Sequence, residues 1–194
     1  MSRTADFARK TQEVDIVGSI GLDGTGRSEV DTGVGFLDHM LSTLARHARF
    51  DLDLTARGDV RVDDHHTAED CGIVIGSAID EALTDRTGIT RFGFAYAPLD
   101  ESLCRAVVDL SGRGWAEVEI PFTRETIGDL ATENIRHFLV SMAVEARMAL
   151  HVDLIRGENN HHMAEAAFKA VALALRSAVS VAGSDVPSTK GTLR

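Results

Sequence analysis

The chain has 194 residues, enough for one large domain or two small ones, and 44% of them are hydrophobic. Aromatic residues make up only 5%, so the core is predicted to consist mainly of Ala, Val, Leu and Ile. The formal net charge of -10 argues against nucleic acid as the main partner, because phosphate backbones attract basic surfaces. A small anion needs only a local basic pocket and is not excluded.

The N-terminal segment and the cysteines bear on the cellular compartment. MSRTADFARK is polar and lacks the apolar run of a signal peptide, and the sequence contains no transmembrane run. Cys71 and Cys104 are too few for a zinc ribbon, so each is predicted to be a small core residue. These features predict a cytoplasmic protein with neither a disulfide nor a membrane partner.

Strand-like and helix-like segments alternate along the first half of the chain. The segment QEVDIVGSIGL predicts a strand, and a helix over about 35–48 follows. A short strand in DLDLTA then leads to a second helix over about 65–84, which begins at a pair of histidines. Asp64 lies where the N-cap of that helix is expected.

The second half repeats this order. Strands are predicted in FAYAPLD, CRAVVDLSG and WAEVEIPF, followed by a helix over about 132–149. The strand HVDLI and a helix over about 160–181 complete the half, with Asn160 at the expected N-cap position. Helices grouped against short, mostly antiparallel strands predict an α+β fold, with a sheet that carries helices on one face.

Two histidine signatures recur at nearly the same spacing. HHTAE begins at His65 and HHMAE at His161, 96 residues later, while His39 and His137 lie 98 residues apart in similar helical segments. Ordered signatures that recur at one spacing indicate internal duplication. We therefore predict two halves, residues 1–93 and 94–194, which together form one compact unit.

The repeated motif has the composition of a metal site. On a helix, His65 and Glu69 share a face, whereas His66 diverges by about 100° and points to a different ion or to another subunit's site. The chain offers six imidazoles and two carboxylates, enough for two ions with three His and one Glu each. Mn, Fe, Zn and Co all suit such ligands. The candidate ligands are His39, His65, His66, Glu69, His137, His161, His162 and Glu165; His47 and His151 are left out as ordinary surface or core histidines.

Five segments occur in an order that carries a family resemblance. TGVGFLDHML, DDHHTAEDCG, SGRG, ENNHHMAEAAFKA and PSTKG resemble those of the imidazoleglycerol-phosphate dehydratases of histidine biosynthesis, over essentially the whole chain. The resemblance implies a duplicated half-domain, each half a four-stranded sheet with two helices, in the ribosomal S5 domain 2-like superfamily. It also implies two Mn²⁺ ions per active site and a homo-24-mer with metal sites between subunits. The eight candidate ligands are the ones that it implies.

The implied reaction converts D-erythro-imidazoleglycerol phosphate to imidazole acetol phosphate and water. The proton that is lost has no carbonyl beside it and is not acidic. A Lewis acid on a ring nitrogen would favour an imidazolate, which can expel hydroxide to give a diazafulvene, and that electron sink makes the proton removable. The metal centre would therefore take the substrate's imidazole as a further ligand.

Further site residues follow from the resemblance and from the need for acids, bases and cations. Glu13 in KTQEVD matches a glutamate that contacts substrate and is predicted to transfer a proton, while Glu69, Glu165 and Asp100 are further candidates for acid or base. The substrate's phosphate group is expected to bind Arg91, Arg113, Ser188 and Lys190.

Two alternatives from other classes remain open at this point. A dinuclear metallohydrolase would share the His and Glu ligands but usually needs a bridging carboxylate. A non-enzymatic scaffold assembled by metals would leave Arg91, Arg113 and Lys190 without a joint purpose. The segment 123–134, TRETIGDLATEN, is predicted to be a loop or connector with no assigned role.

Overall fold

The computed structural model describes residues 3–193 and contains two four-stranded sheets, a small hairpin and four helices. The first sheet and its helices come from the first half of the chain. These elements are β1 Thr4–Lys10, β2 Val14–Gly21, β3 Ser28–Asp31, α1 Gly35–Ala48, β4 Asp51–Gly58 and α2 His65–Leu83.

The second half adds a hairpin of two short strands to the same succession of elements. Its elements are β5 Phe92–Leu99, β6 Ser102–Asp109, β7 Trp115–Glu119, β8 Thr126–Ile127, β9 Leu130–Ala131, α3 Thr132–Glu145, β10 Ala149–Arg156 and α4 Asn160–Ala178.

The two sheets have the same topology. Their strand orders are β1-β2-β4-β3 and β5-β6-β10-β7. In each sheet two neighbouring pairs are antiparallel, and the last pair, β3 with β4 or β7 with β10, is parallel. The predicted α+β class and the duplicated four-stranded half with two helices are therefore confirmed. The division at residues 93 and 94 stays a prediction, although β5, which begins at Phe92, pairs within the second sheet.

The helices lie between the two sheets. Alternate strand residues are buried, which places one face of each sheet in the core, and α1 packs against α4 while α2 packs against α3. The α2–α3 contact is close because α2 has glycines there: a Cβ at Gly72 would lie 2.7 Å from the carbonyl oxygen of Phe138, and one at Gly76 would lie 2.4 Å from that of Met142. The core is mainly aliphatic, as predicted, and both Cys71 and Cys104 are buried free thiols.

Several predicted boundaries need correction. α3 ends at Glu145 rather than near residue 149, because Arg147 adopts a left-handed backbone with a φ of 51°. α4 ends at Ala178 rather than near 181. Its N-cap is Asn159 and not Asn160, since the Asn159 side chain accepts a hydrogen bond from the His161 N–H at 2.9 Å.

Strands β1 and β3 were not predicted. Arg9 and Ser28 lie at inward-facing positions of these strands, so apolar and polar residues do not alternate in the regular way that predicts a half-buried strand. Within residues 3–193, none of the helices has both the length and the apolar character needed to cross a membrane.

Candidate active site

One cluster of potential metal ligands joins α1 to α4. His39 lies in the second turn of α1, and His161 and Glu165 lie on one face at the start of α4. The Glu165 Oε2 atom is 3.1 Å from His39 Nε2 and 3.3 Å from His161 Nε2. We call this group the His39 cluster.

A second cluster joins α3 to α2 in the same way. His137 lies on α3, and His65 and Glu69 lie at the start of α2. The Glu69 carboxylate has one oxygen 3.1 Å from His137 Nε2 and the other 3.9 Å from His65 Nε2. The two imidazole rings stack with their centroids 4.8 Å apart. We call this group the His65 cluster.

Each cluster combines ligands from both halves of the chain. His39 belongs to the first half and pairs with the His-Glu motif of the second, while His137 belongs to the second half and pairs with the motif of the first. The repeat gives the ligand types, but only the packing of α1 on α4 and of α2 on α3 pairs them across the halves.

Both clusters fit a divalent cation. In each, three ligand atoms lie within 4.8 Å of one another, and within residues 3–193 these are the two groups of three or more His, Cys, Asp or Glu with that geometry. His137 Nε2 is buried, and its 3.1 Å contact with Glu69 lacks hydrogen-bond geometry, so among the described residues this nitrogen has no hydrogen-bond partner and can face a cation. Two imidazoles and a carboxylate leave coordination positions open on such an ion.

Hydrogen bonds orient the histidine rings of the His65 cluster. The Oδ1 atom of Asn134 lies 3.0 Å from His65 Nδ1. With Nδ1 donating to this oxygen, Nε2 of His65 carries the lone pair that faces Glu69. Metal-ligating histidines commonly donate their second ring N–H to an oxygen in this way.

The His39 cluster contains a cation that the sequence reading missed. Lys169 Nζ lies 2.8 Å from Glu165 Oε1, one helical turn along α4. Burial raises the pKa of the Glu165 carboxyl, but Lys169 and His39 outweigh this effect and lower that pKa to about 2. Glu165 is therefore an anionic ligand at neutral pH.

His66 and His162 point away from both clusters, as the helical spacing predicts. His66 Nδ1 lies 3.2 Å from the Asp59 carboxylate, and His162 Nδ1 lies 2.7 Å from Glu101 Oε2. Hydrogen bonds to Asp59 and Glu101 raise the pKa of His66 and of His162, respectively. In both cases a carboxylate contacts Nδ1, and Nε2 is the ring nitrogen that does not form this contact.

Comparisons with known proteins show the family to which this chain belongs. Residues 32–175 match the family model described as imidazoleglycerol-phosphate dehydratase. The chain belongs to the imidazoleglycerol-phosphate dehydratase family. It is therefore an enzyme of the hydro-lyase class.

Relatives of this family match over nearly the whole chain. The dehydratase of Chlorobium luteolum is 52% identical over 98% of this chain and 96% of its own length. That of Phytophthora nicotianae is 54% identical over 98% of this chain, which spans 42% of that longer protein. The crystal structure of the Staphylococcus aureus N315 dehydratase is 39% identical, covers 92% of this chain and 99% of its own, and has a TM-score of 0.83.

The predicted acids and bases lie beside the two outward-facing histidines. Glu13, in the turn between β1 and β2, has an oxygen 3.6 Å from His66 Nε2. Asp100, in the equivalent turn between β5 and β6, has an oxygen 4.0 Å from His162 Nε2. The duplicated turns thus place one carboxylate at the exposed nitrogen of each histidine.

The predicted phosphate contacts lie elsewhere in the chain. Arg91 precedes β5 and forms a bidentate ion pair with Asp109, at 2.7 and 3.1 Å. Its Nη1 also donates to the carbonyl oxygen of Pro187 at 2.9 Å. This hydrogen bond holds the segment that contains Ser188 and Lys190 close to Arg91. Asp100 follows the opposite end of this strand, whose eight residues span roughly 23 Å at about 3.3 Å per residue. Arg91 and Asp100 therefore lie at opposite ends of β5 within one chain.

Other polar residues at the site also escaped the sequence reading. They lie outside the repeated histidine motif and contact the candidate ligands or the helices that carry them. The available signals were weak: Lys169 is four positions after Glu165, and Glu101 is adjacent to Asp100. The residues of this group are Asp59, Glu101, Asp129, Asn134 and Lys169.

Proposed function

We propose that this chain dehydrates D-erythro-imidazoleglycerol phosphate to imidazole acetol phosphate in histidine biosynthesis, at sites formed by the His39 and His65 clusters. The observation that carries the proposal is the pair of equivalent His, His, Glu groups, each with ligand atoms within 4.8 Å. Family membership supplies the class of reaction, and the clusters supply groups able to hold the cations that it needs.

The proposed cofactor is Mn²⁺, with two ions per active site. His39, His161 and Glu165 would hold one ion, and His65, His137 and Glu69 the other. The bound ions supply Lewis acidity that favours ionisation of the substrate's imidazole ring. His66 and His162 of a neighbouring copy of the chain would provide the third imidazole of each ion, because their Nε2 atoms point away from the clusters of their own chain.

We propose that Glu13 and Asp100 move protons at the substrate. Each carboxylate lies beside the Nε2 atom of an outward-facing histidine, so each would face the substrate when that histidine ligates an ion of another subunit. Glu69 and Glu165 are ligands that could also accept a proton. Lys169 keeps Glu165 anionic and adds a positive charge at the same site.

The phosphate site is proposed to come from another copy of the chain. Arg113 and Lys190 are exposed, and within residues 3–193 neither side chain forms an ion pair, so both are available to an anion. Arg91 is already paired with Asp109 and orders the segment that carries Ser188 and Lys190. All four residues belong to the end of the second sheet that is remote from the clusters, and a neighbouring subunit would bring them to a site.

An exposed aromatic surface supports self-association. Phe92, Phe94 and Tyr96 on β5 are exposed beside Val107 on β6, and Phe94 is 74% exposed; Trp115 is also exposed, on the opposite edge strand β7. Apolar surface of this kind commonly marks an interface. It adjoins Arg91, whose guanidinium lies 4.6 Å from the centre of the Phe92 ring. We propose a homo-24-mer with metal sites between subunits, as the family resemblance implies.

We place the enzyme in the cytoplasm, with the phosphorylated imidazole as its small-molecule partner. Both cysteines are buried free thiols, which fits a reducing compartment. Burial raises the pKa of the Cys104 thiol to about 12, so it is not a reactive thiolate.

Turnover of imidazoleglycerol phosphate tests the proposal. The purified chain is stripped of metal and re-supplied with Mn²⁺, and activity should return only with the metal. His39→Gln should lose at least 100-fold in kcat, whereas His47→Gln, on the same helix but outside the cluster, should stay within about 3-fold. No turnover by the metal-loaded, assembled protein would reject the function, and hydrolysis of a phosphoester instead would favour a metallohydrolase.

A further inference from the structure

Residues 123–134, which we call the strap, form a hairpin that touches the N-terminal ends of all four helices. β8 and β9 are joined by Gly128 and Asp129, and Gly128 has a φ of 62°, as a tight hairpin turn requires. Ile127 and Leu130 are buried, so the hairpin is anchored in the core. None of these residues is a candidate ligand, acid or base.

Asp129 caps α1 from the other half of the chain. Its carboxylate accepts hydrogen bonds from the N–H groups of Gly35 at 2.6 Å and Phe36 at 2.9 Å. The residue at the N-cap position of α1, Val34, has no polar side chain to do this. The first N–H groups of a helix have no partner within it, so a carboxylate placed there stabilises the end. His39 lies one turn further along the same helix.

The strap is also tied to the two helices that carry the His-His motifs. Asn160, the residue before His161, is buried, and its Oδ1 accepts from the N–H groups of Thr123 at 2.8 Å and Arg124 at 3.1 Å. Asp64, the residue before His65, accepts from the N–H of Ala131 at 2.7 Å. Equivalent positions of the two repeats thus hold the two ends of one hairpin.

The last part of the strap begins α3 and reaches a ligand directly. Asn134 is buried, lies one turn before His137 and orients the ring of His65 through the 3.0 Å contact to Nδ1. Phe36 holds the equivalent position before His39 and instead makes an edge-to-face contact with His161, with ring centres 5.1 Å apart. The amide contact is therefore specific to the His65 cluster.

We infer that the strap positions the ligands of the metal centre, with Asp129 serving the His39 cluster and Asn134 serving the His65 cluster. This inference rests on the proposed metal centre and names the residues that hold its ligands in place. Loss of Asp129 frees the start of α1, so His39 no longer meets Glu165 with fixed geometry. Loss of Asn134 frees the His65 ring and its tautomer.

Manganese binding by the full chain tests the inference without an activity assay. Unbound Mn²⁺ is measured by electron paramagnetic resonance while the metal is titrated into each protein. The three parent proteins are the wild type, His39→Ala and His65→Ala. Each parent is also made with Asp129→Asn and, separately, with Asn134→Leu. In the His65→Ala background, which retains the His39 cluster, Asp129→Asn should lower the affinity for the remaining Mn²⁺ ion about 10-fold. This lies within the range for residues that orient ligands. In the His39→Ala background it should change that affinity less than 2-fold.

Asn134→Leu should give the opposite pattern, with the loss confined to the His39→Ala background. Glu125→Gln, which removes an exposed carboxylate from the same strap, is the matched control and should leave the affinity for both ions unchanged. Circular dichroism and thermal unfolding in chelator confirm that each variant folds before metal is added.

The outcomes separate the two proposals. If the wild type binds two ions, and each histidine variant loses one, the metal centre stands. Loss of both ions to a similar extent with Asp129→Asn, or of neither, would then overturn the positioning role of the strap. If His39→Ala and His65→Ala leave binding unchanged, the metal centre itself is wrong and the inference falls with it.

Discussion

His39 Nε2 and Glu165 Oε2 lie 3.1 Å apart, although one residue is on the first helix and the other is on the last. The contact exists because α1 and α4 pack against each other between the two sheets. His137 and Glu69 repeat it on α3 and α2 at 3.1 Å. The duplication therefore produces two candidate cation sites, each of which needs both halves.

We expect Lys190→Ala to raise KM for the phosphorylated substrate at least 10-fold, with a smaller effect on kcat, because the ammonium group would contact the non-reacting phosphate. Steady-state kinetics across substrate concentrations give both constants. Lys10→Ala, which removes an exposed lysine paired with Asp15, is the control and should leave KM unchanged. An unchanged KM in Lys190→Ala would remove this residue from the phosphate site.

Arg86 is fully buried and links the ends of α2 and α3. Its guanidinium donates to the carbonyl oxygens of Ala146 at 2.9 Å and Arg147 at 3.1 Å and pairs with Asp80. Arg86→Met would leave these acceptors without a donor, and we expect a loss of about 3 kcal/mol in the free energy of unfolding. Urea denaturation measures it, with the exposed Arg176→Met as control. Equal stability of the two variants would contradict the structural role of Arg86.

Asp51 should make stability depend on acid pH. Backbone hydrogen bonds from Arg27 and Thr25 lower its pKa to about 2, from an ordinary value of 3.8. A lowered pKa stabilises the folded chain above pH 3.8, and the contribution disappears as pH falls toward 2. Asp51→Asn should therefore cost about 1 kcal/mol at pH 6 and roughly half of that at pH 3.

Urea denaturation of the wild type and Asp51→Asn between pH 6 and pH 3 gives this dependence. Asp53→Asn, which changes an exposed aspartate on the same strand, is the matched control and should show little difference at any pH. A difference for Asp51→Asn that stays constant over this range would contradict the assignment.

The aromatic surface of the second sheet should be needed for assembly. Phe94→Glu places a charge at its centre and should reduce the mass of the particle in light scattering. Val17→Glu is the control, because Val17 is 51% exposed on the corresponding face of the first sheet, which otherwise carries mostly polar residues. A particle of unchanged mass in Phe94→Glu would show that this surface is not an interface.

Much of the fold could be predicted from the sequence, because α1 and α2 have clear helical periodicity and the second half repeats both. β1 and β3 could not, since Arg9 and Ser28 occupy inward-facing positions and break the apolar and polar alternation. The ligand types followed from the repeated HHxAE motif. Their pairing across the halves did not, because it depends on which helices pack together.

The supporting residues were harder to predict than the ligands. Asp129 and Asn134 lie in a segment without a regular pattern, and each acts on a residue far away in sequence. The Arg91–Asp109 pair likewise shows that a predicted phosphate contact has an intramolecular partner, which sequence spacing could not indicate.

The most direct test of the account is complementation between two inactive variants. The His39→Ala chain lacks a complete His39 cluster but keeps Arg113 and Lys190. The Arg113→Ala, Lys190→Ala double variant lacks these phosphate contacts but keeps both clusters. A site shared between the two chains could combine the clusters of the double variant with Arg113 and Lys190 of the His39→Ala chain. The two chains are co-expressed with different tags, and mixed particles are isolated through both tags and assayed with Mn²⁺. Mixed particles should regain a substantial fraction of wild-type turnover, while each variant alone should stay inactive. Mixed particles that remain inactive would contradict a site built from the clusters of one chain and the cations of another.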